Sequence, residues 1–233
     1  MGEYKKIKAF VSWSGGKDAA LSYYRAMKQF EVTYLLNMTA EDGKRSQSHG
    51  VRTGVIHMQA EAMGLTVVQP RSSWETYEAK FKQAVSELKQ QGIGAGIFGD
   101  IDLEGHREWV ERVSSDMGIR AVLPIWREKR ESILREFIEA GFEAIVVATK
   151  KDVLGDEWLG RTIDGDFIND ISKIEGIDIA GENGEYHTLV LSGPVFERRI
   201  NIIQSEKILQ GEHCFLDISA CEVVEKVETA SRQ

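Results

Sequence analysis

Proline and cysteine are both scarce in this chain of 233 residues, with three of the first and two of the second. So few prolines argue against a proline-rich linker. Cys214 and Cys221 are too few and wrongly spaced for a CxxC redox pair or a four-ligand zinc site, so they read as reduced packing residues. Long apolar runs are missing too. The longest, such as residues 144–149, fall far short of the roughly 20 residues a membrane helix requires. The start, MGEYKKIKAF, lacks the apolar stretch of a secretory signal, so cytoplasmic residence without membrane contact is expected. Positive charge is also short: 29 Lys and Arg against 37 Asp and Glu give a net charge of −8. That balance disfavours broad electrostatic attraction to nucleic acid, and no direct nucleic-acid partner is expected.

What is present is ordinary for a soluble enzyme, with 42% hydrophobic and 28% charged residues and enough chain to bury a sizeable core. Periodicity gives strands at 8–13, 31–39, 65–70, 95–100, 120–124 and 144–149. Between them fall helices at 18–30, 51–62, 74–91, 104–117 and 130–140. In the second helix Val51, Val55, Met58 and Ala62 form the apolar face, and Gly64 ends it. Alternation of apolar strands with helices predicts an α/β fold with a mainly parallel sheet flanked by helices. After residue 150 the rhythm changes to one helix at 164–174 and short strands around YHTLVLSG, RRINIIQ and HCFLDISACEVVE, a smaller α+β portion. The division is placed at 1–125 and 126–233, with the boundary somewhere in 120–150.

The segment AFVSWSGGKDAALSYY puts a glycine pair, a lysine and an aspartate where the first strand becomes a helix. Such a turn brings backbone N–H groups and a helix dipole to one point and favours an anion. It is not the common P-loop, because Val11 and Asp18 stand where that pattern needs a glycine and a Ser or Thr. A plain strand-to-helix turn with a solvated lysine is the bland alternative, disfavoured by the flanking strand and helix.

SGGKD resembles the PP-loop of N-type ATP pyrophosphatases. With IHMQAEAMG, FGDIDLEGHREWVERV, LPIW and GENGEYHTLVLSGPVFERRI in that order, nearly the whole chain resembles the diphthine–ammonia ligase family, a PP-loop branch with a Rossmann-like fold. The resemblance implies ATP and Mg²⁺ as cofactors. It implies adenylation of a carboxylate acceptor, diphthine on elongation factor 2, and displacement of AMP by free ammonia. In that reading Ser12, Ser14, Gly15, Gly16, Lys17 and Asp18 hold the nucleotide, with Lys17 on the departing pyrophosphate and Asp18 on Mg²⁺.

Gly99 and Asp100 end a strand on the side where open α/β sheets gather ligands, so they join the nucleotide site, with Asp100 a second Mg²⁺ ligand. His49, Asp102 and His106 are candidates for substrate contact; helix capping serves Asp102 equally well. Asn183-Gly184 reads as a type I′ hairpin turn. Glu182, Asn183, Glu185, His187 and Thr188 around it are, by the resemblance, the acceptor side, with Glu185 as general base for ammonia. Family members commonly read EGGEYET here, so Asn183 and His187 depart from the pattern. ENGEYHT resembles a bacterial-type subgroup linked to cobalamin metabolism. A small carboxylate acceptor is therefore the first rival reading. A non-catalytic ATP-binding sensor is the second, and a homo-oligomer is allowed for.

Overall fold

A computed structural model describes residues 6–226. Two sheets make the fold. The first is built from β1 (Ile7–Ser12), β2 (Phe30–Leu36), β3 (Thr66–Val68), β4 (Ala95–Ile97) and β5 (Arg120–Val122). Its order is β3-β2-β1-β4-β5 and every pairing is parallel. The connecting helices are α1 (Lys17–Ala26), α2 (Thr53–Ala62), α3 (Tyr77–Gln90) and α4 (Glu104–Asp116). The second sheet holds β6 (Glu143–Lys150), β7 (Tyr186–Ser192), β8 (Arg199–Gln210) and β9 (His213–Val224) in the antiparallel order β7-β6-β9-β8. Two further helices, α5 (Arg130–Glu139) and α6 (Gly165–Ile171), accompany it.

The two-residue period of β1 sets the layers. Ala9 and Val11 belong to the core that includes Leu21 of α1 and Val55 and Ile56 of α2. Phe10 points the other way into the core of α3 and α4, with ring centroids 6.1 Å from both Phe81 and Phe98. The α1–α2 core continues without a break into Phe137 of α5, Val146 of β6 and Leu189 of β7. The second sheet is thus packed on the first unit, not tethered beside it. Arg25 reinforces the contact, donating through Nε to Glu136 at 2.9 Å and through Nη1 to the Pro124 carbonyl at 2.9 Å.

Several sequence expectations are corrected here. The first helix stops at Ala26, because Phe30 is the start of β2 and pairs with Ile7. Of the face expected for α2, Val51, Val55 and Ala62 are buried and only Met58 is half-buried; Ile56, Gln59 and Ala60 widen the buried face. The apolar strand at 144–149 does not extend the parallel sheet but pairs antiparallel with β7 and β9. Of the expected short late strands, YHTLVLSG is the seven-residue β7, and the other two are twelve-residue strands, β8 and β9, joined at Gly211-Glu212 with Gly211 at φ +63°. Asn183-Gly184 is not a hairpin turn. Gly184 N–H donates to the Gly181 carbonyl at 3.1 Å, no strand precedes it, and Asn183 lacks the positive φ that type I′ demands.

Candidate active site

β1 and β4 are neighbours although the chain makes β2 and β3 between them, so their carboxyl ends form the topological switch point where such sheets bind ligands. A cavity of about 430 Å³ opens there. Ser12, Ser14, Lys17 and Asp18 line it from the first turn, Gly99, Asp100 and His106 from the β4–α4 connection, and Glu182, His187 and Thr188 from the second unit. His49 closes it from the segment before α2.

Both glycines of the turn are required by close packing. A β-carbon on Gly15, whose φ is +89°, would stand 2.8 Å from Ile56 Cδ1 and 2.9 Å from Gln59 Oε1. One on Gly16 would stand 2.9 Å from His49 Cε1 and 3.2 Å from Thr188 Oγ1. Packing against α2, His49 and Thr188 is therefore enough to require both glycines. Gly99 lies as tightly against α1, where a β-carbon would stand 2.8 Å from the Ala19 nitrogen.

Lys17 is 4% exposed. Its Nζ donates to the Ala180 carbonyl at 2.5 Å and to Asp18 Oδ2 at 2.8 Å, and lies 5.3 Å from the centre of the Tyr186 ring. Burial pulls its pKa down, but Asp18, the buried Tyr186 and Glu182 outweigh that and leave it raised, so the ammonium is charged. Asp18 is itself raised by burial, against the opposing pull of Lys17. Its Oδ1 is shut off from solvent with no partner. Ser14 Oγ accepts the Gly16 N–H at 3.3 Å, and Thr188 Oγ1 accepts the Lys17 N–H at 3.0 Å. Thr188 thus braces the loop as well as lining the cavity.

Facing the turn, the loop at residues 178–185 is held by its own carboxylates. Glu185, 7% exposed, accepts the N–H groups of Asp178 at 3.2 Å and Asn183 at 3.1 Å and the Asn183 side-chain amide at 3.3 Å. Asp178 accepts from the Ala180 and Glu182 N–H groups at 2.9 and 2.6 Å and pairs with Arg130 at 3.0 Å. Glu182 is the carboxylate left facing the cavity. Its pKa is pushed up to about 7, first by burial and then by Asp18, against the pull of Lys17, with Asp100 and Asp102 adding to the rise. Neither Glu185 nor Asn183 lines the cavity. Asp102 also turns away, accepting from Arg130 at 2.8 and 3.0 Å. Arg130 thereby ties the β4–α4 connection to the 178–185 loop.

His49 and His187 stack with ring centroids 4.3 Å apart and planes 18° off parallel. Burial, then Lys17 and His213, pushes His187 down to about 4; burial, then His187 and Lys17, lowers His49 as well. Both are neutral imidazoles at neutral pH. His106 is raised by its hydrogen bond to Asp100, with the two groups 3.2 Å apart.

Sequence reasoning missed the aromatic side of the cavity. Trp74, Tyr77, Phe98 and Trp109 line it, with Trp74 and Tyr77 stacked at 5.8 Å and Trp74 70% exposed. Burial and the nearby Asp100 push the Tyr77 hydroxyl up to about 12. Position after β3 and in the first turns of α4 was the available signal, since loops at that end of a parallel sheet carry ligand contacts.

Two family models together cover most of the chain. The diphthamide synthase N-terminal domain matches residues 7–121 and the diphthamide synthase C-terminal domain matches residues 129–224. Among curated proteins, diphthine–ammonia ligase of Rattus norvegicus is 26% identical, over 96% of this chain and 94% of its own. The human protein of that name is 29% identical, over 92% and 89%. The Schizosaccharomyces pombe one is 27% identical over 89% of this chain, which spans 38% of that longer protein. A solved predicted subunit of tRNA methyltransferase from Methanocaldococcus jannaschii aligns over 81% of this chain with 15% identity and a TM-score of 0.43. Among the described residues no helix is long and apolar enough to cross a membrane.

Proposed function

The chain belongs to the diphthamide synthase family, and from that premise we propose that it is an ATP-dependent ligase that joins a carboxylate to ammonia and releases AMP and pyrophosphate. The observation that carries the reading is the Lys17–Asp18 pair at the switch point, where Lys17 is buried and both residues line the cavity. In this reading residues 1–125 supply the nucleotide side and 126–233 the acceptor side. The acceptor named for the relatives, diphthine, is the first candidate here.

The acceptor carboxylate attacks the α-phosphorus, and the bond to the bridging oxygen breaks with its electron pair leaving on pyrophosphate. Two of the three Lys17 N–H groups are engaged by Ala180 and Asp18, which leaves one for a phosphate oxygen. That charge stabilises the leaving pyrophosphate more than intact ATP, the condition for acceleration. The residues fit a Mg²⁺ ion: Asp18 Oδ1 is an orphaned buried oxygen, and Asp100 lines the same cavity. Among the described residues no group of three or more His, Cys, Asp or Glu side chains could hold a metal by itself. That suits an ion held by one or two carboxylates and phosphate oxygens. When bound it would neutralise the phosphates.

Ammonia then attacks the acyl carbon, the bond to AMP breaks, and the nitrogen gives up a proton. Glu182 is the acceptor for that proton, because it faces the cavity and is poised near neutrality. Glu185, whose oxygens are taken up by loop amides, positions Glu182 instead. The His49–His187 stack keeps a second reading of the acceptor open. An uncharged aromatic surface there suits a small carboxylate as well as a modified protein side chain.

The test is product identity. With ammonium and a diphthine-bearing elongation factor, or separately small carboxylates, acceptor-dependent AMP and pyrophosphate are expected. ADP and orthophosphate would overturn the reading, and ATP binding without turnover on any acceptor would favour a sensor.

A further inference from the structure

Gln59 lies on the buried face of α2 between Ile56 and Ala60 and is itself fully buried. Its side chain has three partners. Nε2 donates to the Gly15 carbonyl at 3.0 Å and the Val190 carbonyl at 2.7 Å, and Oε1 accepts the Trp13 indole N–H at 2.8 Å. A primary amide in an apolar face is costly unless it is satisfied, and an aliphatic side chain would fill the same space without that cost. The residue type is therefore explained by what it holds.

Its partners converge on the turn. Trp13 and Gly15 flank Ser14, and Val190 of β7 also donates its own N–H to the Gly15 carbonyl at 2.9 Å. Two residues along β7, Thr188 takes the Lys17 N–H. Gly15 and Gln59 are matched, since a β-carbon on Gly15 would meet the amide oxygen at 2.9 Å. The Gly15 carbonyl receives two donors, so the peptide plane that leads into Gly16 and Lys17 has its orientation fixed from α2 and β7 together.

We propose that Gln59 is a positioning residue for the phosphate-binding turn, holding the Gly15 peptide so that the turn presents Lys17 to a pyrophosphate group, and locking the turn to β7. The inference rests on the nucleotide reading above but concerns a residue that touches neither nucleotide nor acceptor.

Calorimetric titration of the full chain with inorganic pyrophosphate, and separately with AMP, tests it. Gln59→Met keeps the volume and removes all three hydrogen bonds. It should weaken pyrophosphate binding about tenfold or more, the scale of a lost buried hydrogen-bonding set, with AMP affinity within about twofold of wild type. Val55→Ala, an equally buried change on the same helix, should lower the melting temperature and leave both affinities in place. If Gln59→Met does not fold, Trp13→Phe removes one bond of the three and should give a smaller loss with the same selectivity. Unchanged pyrophosphate binding in a folded Gln59→Met, or equal loss for both ligands, overturns the inference. Wild-type protein that binds no pyrophosphate overturns the nucleotide reading itself.

Discussion

The turn at 14–18 and the loop at 178–185 face each other across one cavity, and each is held mainly by the opposite kind of group. The turn is fixed from outside, by Gln59, Thr188 and Val190 acting on its backbone, which frees the Asp18 carboxylate oxygen. The loop is fixed from within, by Glu185 and Asp178 acting on its amides, which frees only Glu182. Asp18 keeps one oxygen unpartnered beside its bond to Lys17, whereas both oxygens of Glu185 are taken up by loop amides. On the proposed reading, a free oxygen, not residue type or spacing, separates a reacting group from a scaffold group.

The strongest way to break that comparison is at the turn. Lys17→Ala should lower kcat by about 10²-fold or more, as expected for loss of a leaving-group stabiliser. Steady-state AMP release by a protein confirmed folded by circular dichroism measures it, and near-wild-type turnover would remove the turn from the chemistry.

The two glutamates of the loop sharpen it. Glu182→Gln should cut acceptor-dependent turnover by about 10²-fold, within the range for a general base, and abolish the rise through about pH 7 in wild-type kcat/KM expressed per unprotonated ammonia. Glu185→Gln should lower stability by about 1–3 kcal/mol, because two N–H groups lose their carboxylate, while the pH profile keeps its shape. The reverse pattern would restore Glu185 as the base.

A smaller effect concerns stability alone. The folded pKa of Glu182 is raised from 4.5 to about 7, so its contribution is present below the lower value and is lost as pH rises through the higher one. Glu182→Gln should therefore melt higher than wild type at pH 8 and no differently near pH 4, as differential scanning calorimetry would reveal. The smallest effect is expected for Asp102→Asn. Its half-exposed pair with Arg130 contributes no more than about 1 kcal/mol, and turnover should stay within about threefold of wild type.

The parallel sheet was legible because Phe10, Val11 and Leu35 belong to strands buried on both faces, and Gly15, Gly16 and Lys17 occupy the one turn that joins strand to helix at its centre. The antiparallel sheet was not. The apolar strand at 144–149 looks the same whichever way its neighbours run, since burial on two faces leaves no period-two signature. Within the site, Lys17, Asp18, Asp100 and Glu182 reached the cavity as expected. Glu185 and Asp102 did not, because which carboxylate turns inward depends on the loop's hydrogen bonds to Asp178 and on Arg130, partners far from them in the chain or hidden in loop geometry. Gln59 was hidden for a related reason: a polar residue on an apolar helix face signals a buried partner but cannot say which.

Isotope transfer tests the central claim most directly. With ¹⁸O in both oxygens of the acceptor carboxylate, one label should appear in the phosphate of released AMP, because the acyl-adenylate is cleaved at the bond to the acyl carbon. AMP free of label, with the lost ¹⁸O carried into orthophosphate or water, would contradict the account.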